Sequence, residues 1–387
     1  MILSRLEQVD ETVLQSLITG AVAEGKTIDY KQELPGNSDG DKKEFLADVS
    51  SFANTSGGDL VFGMAEEQGV ATRIAGITPA DLDLEIQRLD SIIASGLEPR
   101  IRYGIKPVSC HGGQKVLVIR VERSWTGPHR VVFKGHDKFY GRNSAGKYPL
   151  DVSELRMAFT LSETVFERIR AFRTDRIIAL SNDQTPVPLT RGPKIVLHCI
   201  PVESFAGQPQ YDVMRFHRSP ELLPPMSTSG WNDRINLEGV VTYSGGKPSF
   251  SYTHAYRIGV IEAVHAYRLD PRPAARMFIP SVEYEERVLG YLPTCFKVLR
   301  LMGCNVPIIV ALTLTNVRGL RMAVGREESE GGVAIDRETL ILPETSVEDW
   351  DTPPGKILKP MFDLVWNACG YPASRNFDSE GNWVKRS

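Results

Sequence analysis

The sequence predicts an α+β protein that folds as two domains. Helical repeats of apolar residues alternate along the chain with short apolar runs typical of strands. A chain of 387 residues is also longer than the size at which one hydrophobic core usually stops growing. The segment 181–193, SNDQTPVPLTRGP, has three prolines and few large apolar residues, as linkers do. We therefore predict a first domain over 1–160, a helical extension and linker over 161–192, and a second domain over 193–387.

The elements of the first domain follow from local patterns. Residues 41–53 place Phe45, Val49 and Phe52 on one helix face, and the acids Asp39 and Asp41 suit an N-terminal cap. The turn residues NTSGG at 54–58 end this helix. The remaining predicted elements are a buried strand over 59–64, a helix over 82–93, a strand over 115–121, a hairpin over 131–142 and a long helix over 152–180.

The second domain also mixes strands with helix. Its predicted elements are strands over 195–201, 237–243 and 250–262, one long helix over 282–302, and strands over 307–315, 321–324 and 339–342. No motif for catalysis occurs in this half. We interpret it as an accessory α+β domain.

The composition excludes several classes of protein. Hydrophobic residues make up 42% and charged residues 24%, with a net charge of −3, so a disordered chain and a histone-like basic coat are both excluded. No run of about 18 apolar residues occurs and charges begin at Arg5, so we expect a cytoplasmic protein without a membrane segment. The five cysteines include no C-x-x-C pair, which argues against structural zinc.

Acidic residues mark one candidate site. If residues 27–32 form a strand, Asp29 and Lys31 project from one face while Ile28 and Tyr30 turn toward the core. Glu24 would then lie at the mouth of this strand, and Glu66 follows the strand over 59–64. Carboxylates at the ends of neighbouring strands suit Mg²⁺ or Mn²⁺, which prefer oxygen ligands, although such acids are commonly just solvated.

The order of the segments resembles the core domain of the Schlafen family, including its AlbA-like prokaryotic members. The matching segments are EGKTIDYK at 24–31, SFANTSGGDLVFGMAEE at 51–67, AGIT at 75–78 and KFYGRNSAGKYPLDVSELRMAF at 138–159. The resemblance covers roughly the first 160 residues. It implies a Schlafen-like mixed α/β core domain followed by a second α+β domain.

The resemblance also implies a function. Nuclease-active members are metal-dependent endoribonucleases that cleave structured RNA, tRNA above all, and such activity suits antiviral defence or a stress response. By position, the catalytic and metal-holding acids are Glu24, Asp29 and Glu66, with Mn²⁺ or Mg²⁺ as the cofactor. Two of them depart from the family pattern, because Asp29 stands for the usual Glu and Glu66 for the usual Asp. The alternative is a non-catalytic DNA- or RNA-binding transcriptional regulator with the same fold.

Two interpretations remain open for Lys31, which follows Asp29 by two residues. It would place a positive charge on the scissile phosphate if the site is a nuclease. Otherwise it is a solvent-facing strand lysine that simply pairs with Asp29.

A basic stretch is the candidate RNA-binding surface. Between residues 120 and 147 there are seven basic and two acidic residues, a local net charge of +5, interleaved with aromatic residues. Phosphates need cations along a track and unpaired bases can stack on rings. A hairpin with its aromatics in the core would give the same pattern. The candidate contacts are Arg120, Arg123, Arg130, Lys134, Lys138, Arg142 and Lys147.

Two further expectations concern ATP and assembly. Residues 141–148, GRNSAGKY, look like a P-loop, but Tyr148 and Pro149 stand where Ser or Thr and a helix are needed. We therefore do not predict an ATPase. One core domain touches only a few base pairs, so we expect a homodimer whose contacts lie mainly beyond Pro193, in the second domain that carries the apolar-faced helix over 282–302.

Overall fold

The computed structural model describes residues 1–78, 81–206, 209–226, 230–266, 278–324 and 332–384, without the side chain of Ser162. The chain is an α+β protein, which confirms the predicted class. It divides into two compact units, Met1–Thr164 and Val165–Ser387. None of the helices in these ranges combines the length and the apolar character that crossing a bilayer requires.

The first unit alternates helices and short strands. Its elements are α1 (Glu11–Thr19), β1 (Ile28–Lys31), α2 (Asp39–Ala53), β2 (Gly58–Phe62), β3 (Met64–Glu67), β4 (Val70–Ile74), α3 (Leu82–Gly96), β5 (Leu97–Glu98), β6 (Tyr103–Ser109), β7 (Lys115–Val121), β8 (Arg130–Phe133), β9 (His136–Asn143), β10 (Gly146–Pro149) and the start of α4 (Val152–Ser181). The division between the units falls inside α4.

A four-stranded sheet in the order β1-β2-β7-β6 forms the centre of the first unit. Strands β1 and β2 are parallel and joined through α2, whereas β7 is antiparallel to both of its neighbours. Side chains alternate between the two faces of this sheet, and other elements of the unit pack against both faces. Val61 packs with the α1 residue Leu14 on one face, and Leu60 packs with Phe45 on the other.

A second sheet, in the order β10-β9-β8-β5, carries the predicted hairpin. The string GRNSAGKY lies in the β9–β10 hairpin, where Gly141 pairs with Tyr148. Its Gly-Lys pair therefore begins the strand β10, whereas a P-loop would need a helix after this pair.

The FANTSGG segment has a steric explanation. Gly57 adopts φ +69°, and a Cβ there would lie 2.7 Å from the backbone nitrogen of Arg123. A Cβ on Gly58 would overlap the ring of Phe52 and lie 2.8 Å from the carbonyl oxygen of Thr27. The end of α2 therefore packs so closely on its neighbours that side chains are excluded at both positions.

Two local expectations for this unit hold only in part. The N-cap of α2 is Ser38, whose side chain accepts from the Asp41 N–H while the Asp41 carboxylate accepts from the Ser38 N–H. Asp39 lies in the first turn instead. The predicted strand over 59–64 is split into β2 and β3 because Gly63, with φ +92°, turns the chain.

The second unit contains the rest of α4 and a large sheet. Its further elements are β11 (Lys194–Pro201), α5 (Glu203–Ala206), α6 (Arg215–Arg218), β12 (Trp231–Ile235), β13 (Gly239–Ser244), β14 (Ser251–Tyr256), β15 (Ile261–Ala266), β16 (Phe278–Pro280), α7 (Ser281–Met302), β17 (Ile308–Thr315), β18 (Arg321–Ala323), β19 (Thr339–Ile341), β20 (Thr345–Val347) and α8 (Pro354–Ala368).

The large sheet runs in the order β12-β13-β14-β15-β11-β17-β19, and β20 also pairs with β17. The predicted strand over 250–262 is in fact the hairpin β14–β15, because the chain turns at Gly259, which has φ +95°. The apolar side of α7, with Val288, Leu292 and Leu299, is buried in the core of its own unit. This face of α7 is therefore not available to a dimer interface, and the expected homodimer through the second domain stays a prediction.

Asn54 holds the end of α2 to two other segments. Its Nδ2 donates to the carbonyl oxygens of His129 and Tyr140, at 2.9 and 3.0 Å, and its Oδ1 accepts from the His129 N–H at 2.7 Å. A single side chain thus fixes the loop before β8 and the strand β9.

We predict that Asn54→Ala lowers the free energy of unfolding by about 2–3 kcal/mol, because three hydrogen bonds of about 1 kcal/mol each are lost. Urea titration of the full chain would measure the change. Asn143→Ala is the matched control, since Asn143 is exposed and its side chain accepts from the nearby Ala145 N–H, a local contact within the β9–β10 turn. Equal stability of the two variants would contradict the role of Asn54.

Candidate nucleic-acid site

Strand β1 places the predicted acid and lysine on one face. Ile28 and Tyr30 are buried in the core on the α1 side, so Asp29 and Lys31 project from the opposite face, as the alternation predicts. The Lys31 Nζ donates to Asp29 Oδ1 at 2.7 Å. Asp29 is buried, while 41% of the Lys31 side chain stays exposed. The lysine therefore both pairs with Asp29 and meets solvent.

Arg142 of β9 completes the neutralisation of Asp29. Its Nη2 donates to Asp29 Oδ2 at 2.5 Å and its Nε donates to the carbonyl oxygen of Gly25 at 2.9 Å. The guanidinium also lies over the ring of Phe52, 4.3 Å from the centroid. Burial alone would raise the pKa of Asp29, but Lys31 and Arg142 outweigh it and hold this pKa below its usual value.

Glu44 and Asp48, two acids of α2, extend the cluster, and sequence reasoning missed both. The Lys147 Nζ donates to Asp48 Oδ1 at 2.8 Å and to the carboxylate of Glu44. Burial raises the pKa of Asp48, although Lys147 opposes the effect. The sequence did contain one signal for Asp48, since this residue directly precedes Val49 on the buried side of α2. A carboxylate there requires a cationic partner.

Glu24 and Glu66 border the turn between β3 and β4. Glu24 Oε1 accepts from the Tyr30 N–H at 2.8 Å, and the Glu24 N–H donates to the Gly69 carbonyl oxygen at 2.7 Å. The exposed Glu66 carboxylate accepts from the Gly69 N–H. Burial raises the pKa of Glu24; the Tyr30 N–H opposes this and the nearby Asp29 charge adds to it.

The three predicted metal ligands have different hydrogen-bond partners: Asp29 binds cations, whereas Glu24 and Glu66 accept backbone N–H groups. In the described ranges, no three acidic, histidine or cysteine side chains converge as ligands of one ion. Both oxygens of Asp29 already face cations of the chain itself, Lys31 and Arg142. As placed here, Glu24, Asp29 and Glu66 do not fit a three-carboxylate metal centre. Binding of Mn²⁺ or Mg²⁺ stays a prediction.

Five of the seven basic residues predicted to contact RNA are engaged with carboxylates. Arg120 binds the buried Asp59 through Nε at 2.7 Å and also donates to backbone carbonyl oxygens at positions 2 and 4. The other four pairs are Arg130 with Glu98 and Asp137, Lys134 with Asp39, Arg142 with Asp29, and Lys147 with Glu44 and Asp48.

Arg123 and Lys138 differ from these five. Both are exposed, and neither lies within 4.0 Å of a carboxylate oxygen in the part of the chain that the structure describes. The Arg123 guanidinium lies over the ring of Trp125, 3.9 Å from the centroid. Of the predicted contacts, these two keep a charge that is not paired with any acid within the described ranges.

A polar network without a sequence signal lies inside the second unit. Glu262 is fully buried and accepts from Arg176 at 2.9 and 3.0 Å, from His198 at 3.0 Å and from Tyr252 at 2.6 Å. These partners hold the pKa of Glu262 far below its usual value despite the burial. The network joins α4 to the central strands of the large sheet, and its burial indicates a structural role.

The fold and the charged cluster thus define a small α+β domain with a neutralised acidic centre. Residues 24–151 match the family described as Schlafen, AlbA_2. The first unit therefore contains a Schlafen AlbA_2 domain, which confirms the resemblance of the sequence motifs.

Two solved structures are similar to parts of the chain. The DIP2311 protein from Corynebacterium diphtheriae is 21% identical with a TM-score of 0.26, over 37% of this chain and 26% of that one. The N-terminal domain of a RecG-related protein from Nitrosomonas europaea is 25% identical with a TM-score of 0.26, over 32% of this chain and 82% of that one. No curated protein matches the sequence significantly.

We predict that Arg142→Met destabilises the protein by about 3 kcal/mol at pH 7, because it removes one partner of a buried ion pair. The pKa of Asp29 is lowered in the folded state, so its stabilisation is full above the unfolded pKa of about 3.9 and is lost at lower pH. The difference from the wild type should therefore shrink below about pH 4.

Urea titrations from pH 7 to pH 3 would measure this difference. Adding Asp29→Asn to Arg142→Met should cost less than the sum of the two single changes, since the pair is already broken. A loss of stability that does not depend on pH would contradict the pairing.

Proposed function

We propose that the Schlafen AlbA_2 domain binds RNA through the exposed cations Arg123 and Lys138. The observation that carries the proposal is that Arg123 and Lys138 are exposed and have no carboxylate partner among the described residues, while the other five predicted contacts are engaged by acids. An exposed cation without a carboxylate partner is free to neutralise a phosphate and release its counterions. A cation already held by an acid contributes little to such binding.

We predict that Arg123→Ala combined with Lys138→Ala weakens RNA binding and flattens its salt dependence. Each lost phosphate contact lowers the slope of log affinity against log salt by about 0.7 for a single strand. Fluorescence anisotropy with a labelled RNA, from low to moderate salt, would measure the slope.

Lys115→Ala is the matched control for this experiment, because Lys115 is exposed at the opposite end of β7 from Arg123. Its slope should equal that of the wild type. An unchanged slope in the double variant would assign Arg123 and Lys138 to the solvated surface.

The second candidate function is endoribonuclease action on structured RNA, with tRNA as the first substrate to test and antiviral defence or stress response as its setting. It is favoured by Glu24, a half-buried carboxyl with a raised pKa beside Asp29 and the half-exposed Lys31. A carboxyl with a raised pKa is suited to proton transfer, and a lysine can hold a phosphate. A regulator that binds RNA or DNA without cleaving it is the alternative.

Incubation of the full chain with total tRNA tests this second candidate. We predict cleavage that Glu24→Gln and Asp29→Asn each reduce at least a hundredfold, the scale of a lost acid-base group. Parallel reactions with Mn²⁺, Mg²⁺ and EDTA test the cofactor, and Glu67→Gln, an exposed neighbour of Glu66, is the control. If tRNA stays intact under every condition while the protein still binds RNA, the nuclease proposal is contradicted and the non-catalytic regulator is favoured.

A homodimer through the second unit is also proposed, since it would supply a second wall for a bound RNA. Its contacts must come from residues other than the apolar side of α7, which is buried.

A further inference from the structure

We infer that Arg123 and Trp125 form a stacking platform for an unpaired nucleobase of the bound RNA. The inference rests on the proposed RNA binding and specifies what is bound, namely a single-stranded nucleotide rather than a base-paired one. The Arg123 guanidinium lies 3.9 Å from the centroid of the Trp125 ring. Both groups are flat, so the exposed guanidinium and the half-buried ring beneath it form two stacked layers.

A comparison within the same domain separates this pair from an ordinary cation–π contact. Arg142 also lies over an aromatic ring, that of Phe52, but it is buried and its charge is held by Asp29. Arg123 is exposed, and among the described residues no carboxylate pairs with it. Its charge and its outer face therefore remain open to a ligand, whereas those of Arg142 do not.

The platform is held in place by the turn that ends α2. The Ser124 N–H donates to the carbonyl oxygen of Ala53 at 2.9 Å, and the Arg123 backbone nitrogen lies so close to Gly57 that no side chain fits between them. Asn54 fixes the far end of the same loop at His129. The segment that carries Arg123 and Trp125 is thus pre-organised, which lowers the entropic cost of binding.

The same turn connects the platform to the charged cluster. The Arg142 N–H donates to Thr55 Oγ1 at 3.0 Å, and the Arg142 side chain holds Asp29. A base stacked on Arg123 therefore lies beside the segment that also positions Asp29 and Lys31. The phosphates next to that base would follow the exposed cations proposed above.

The platform implies selectivity for unpaired nucleotides. A base in a duplex already has both faces stacked on its neighbours, whereas an unpaired base offers a face to a ring or a guanidinium. Stacking of one base contributes about 1–3 kcal/mol. The protein should therefore prefer a single strand or a hairpin loop to a blunt duplex of the same length.

Fluorescence anisotropy with a single-stranded RNA and a blunt RNA duplex of equal length tests the inference. Trp125→Ala should weaken binding of the single strand about tenfold, which corresponds to about 1.4 kcal/mol, and leave the duplex nearly unchanged. Arg123→Lys keeps the positive charge but replaces the planar guanidinium. It should therefore reduce the preference for the single strand over the duplex without changing the slope of log affinity against log salt. Lys115→Ala should leave the preference intact.

A second measurement does not depend on a variant. RNA with a 2-aminopurine at an unpaired position should lose fluorescence on binding the wild-type protein, because stacking quenches this base. Absence of binding to any RNA would overturn the proposed function together with the platform. Full binding with an unchanged preference in both Trp125→Ala and Arg123→Lys, or equal losses for single strand and duplex, would overturn the platform alone.

Discussion

The ion pair between Asp29 and Arg142 is the contact on which the arrangement of the first unit depends. A buried carboxylate is costly unless a cation and hydrogen bonds compensate it. Asp29 lies on β1 and Arg142 on β9, 113 residues apart, so compensation requires the hairpin sheet to pack against the central sheet. The backbone of Arg142 in turn binds Thr55, which locks the end of α2 against the same strand.

This pairing explains why a basic stretch of sequence does not become a continuous basic track. Each of five cations between residues 120 and 147 meets an acid contributed by another element, such as Asp59 of β2 or Asp48 of α2. Counting charges within the stretch overlooks these acids because they are distant in sequence. The Arg123 guanidinium instead lies over the ring of Trp125, and within the described ranges no carboxylate pairs with it. Exposed positive charge without an acid partner among the described residues is therefore limited to a few residues of this stretch.

The features that sequence could predict are those set by neighbours in the chain. Alternation in β1 placed Asp29 and Lys31 on one face, and the FANTSGG string predicted both the end of α2 and the family. The partners of Asp48 and Arg142 could not be predicted, since they depend on how β9 and β10 pack on α2. The hairpin at 250–262 was missed because its turn interrupts an apolar run at one glycine, Gly259.

The electrostatics of the site also bear on what it can do. Glu24 and Asp29 are close enough to influence each other, yet their pKa values move in opposite directions. Lys31 and Arg142 keep Asp29 ionised, whereas burial and the charge of Asp29 favour the protonated form of Glu24. Two neighbouring carboxyls with separated pKa values can divide the roles of a fixed charge and a proton carrier. In this site the fixed charge of Asp29 is neutralised from within the protein by Lys31 and Arg142, whereas the raised pKa of Glu24 makes it the more easily protonated carboxyl of the two.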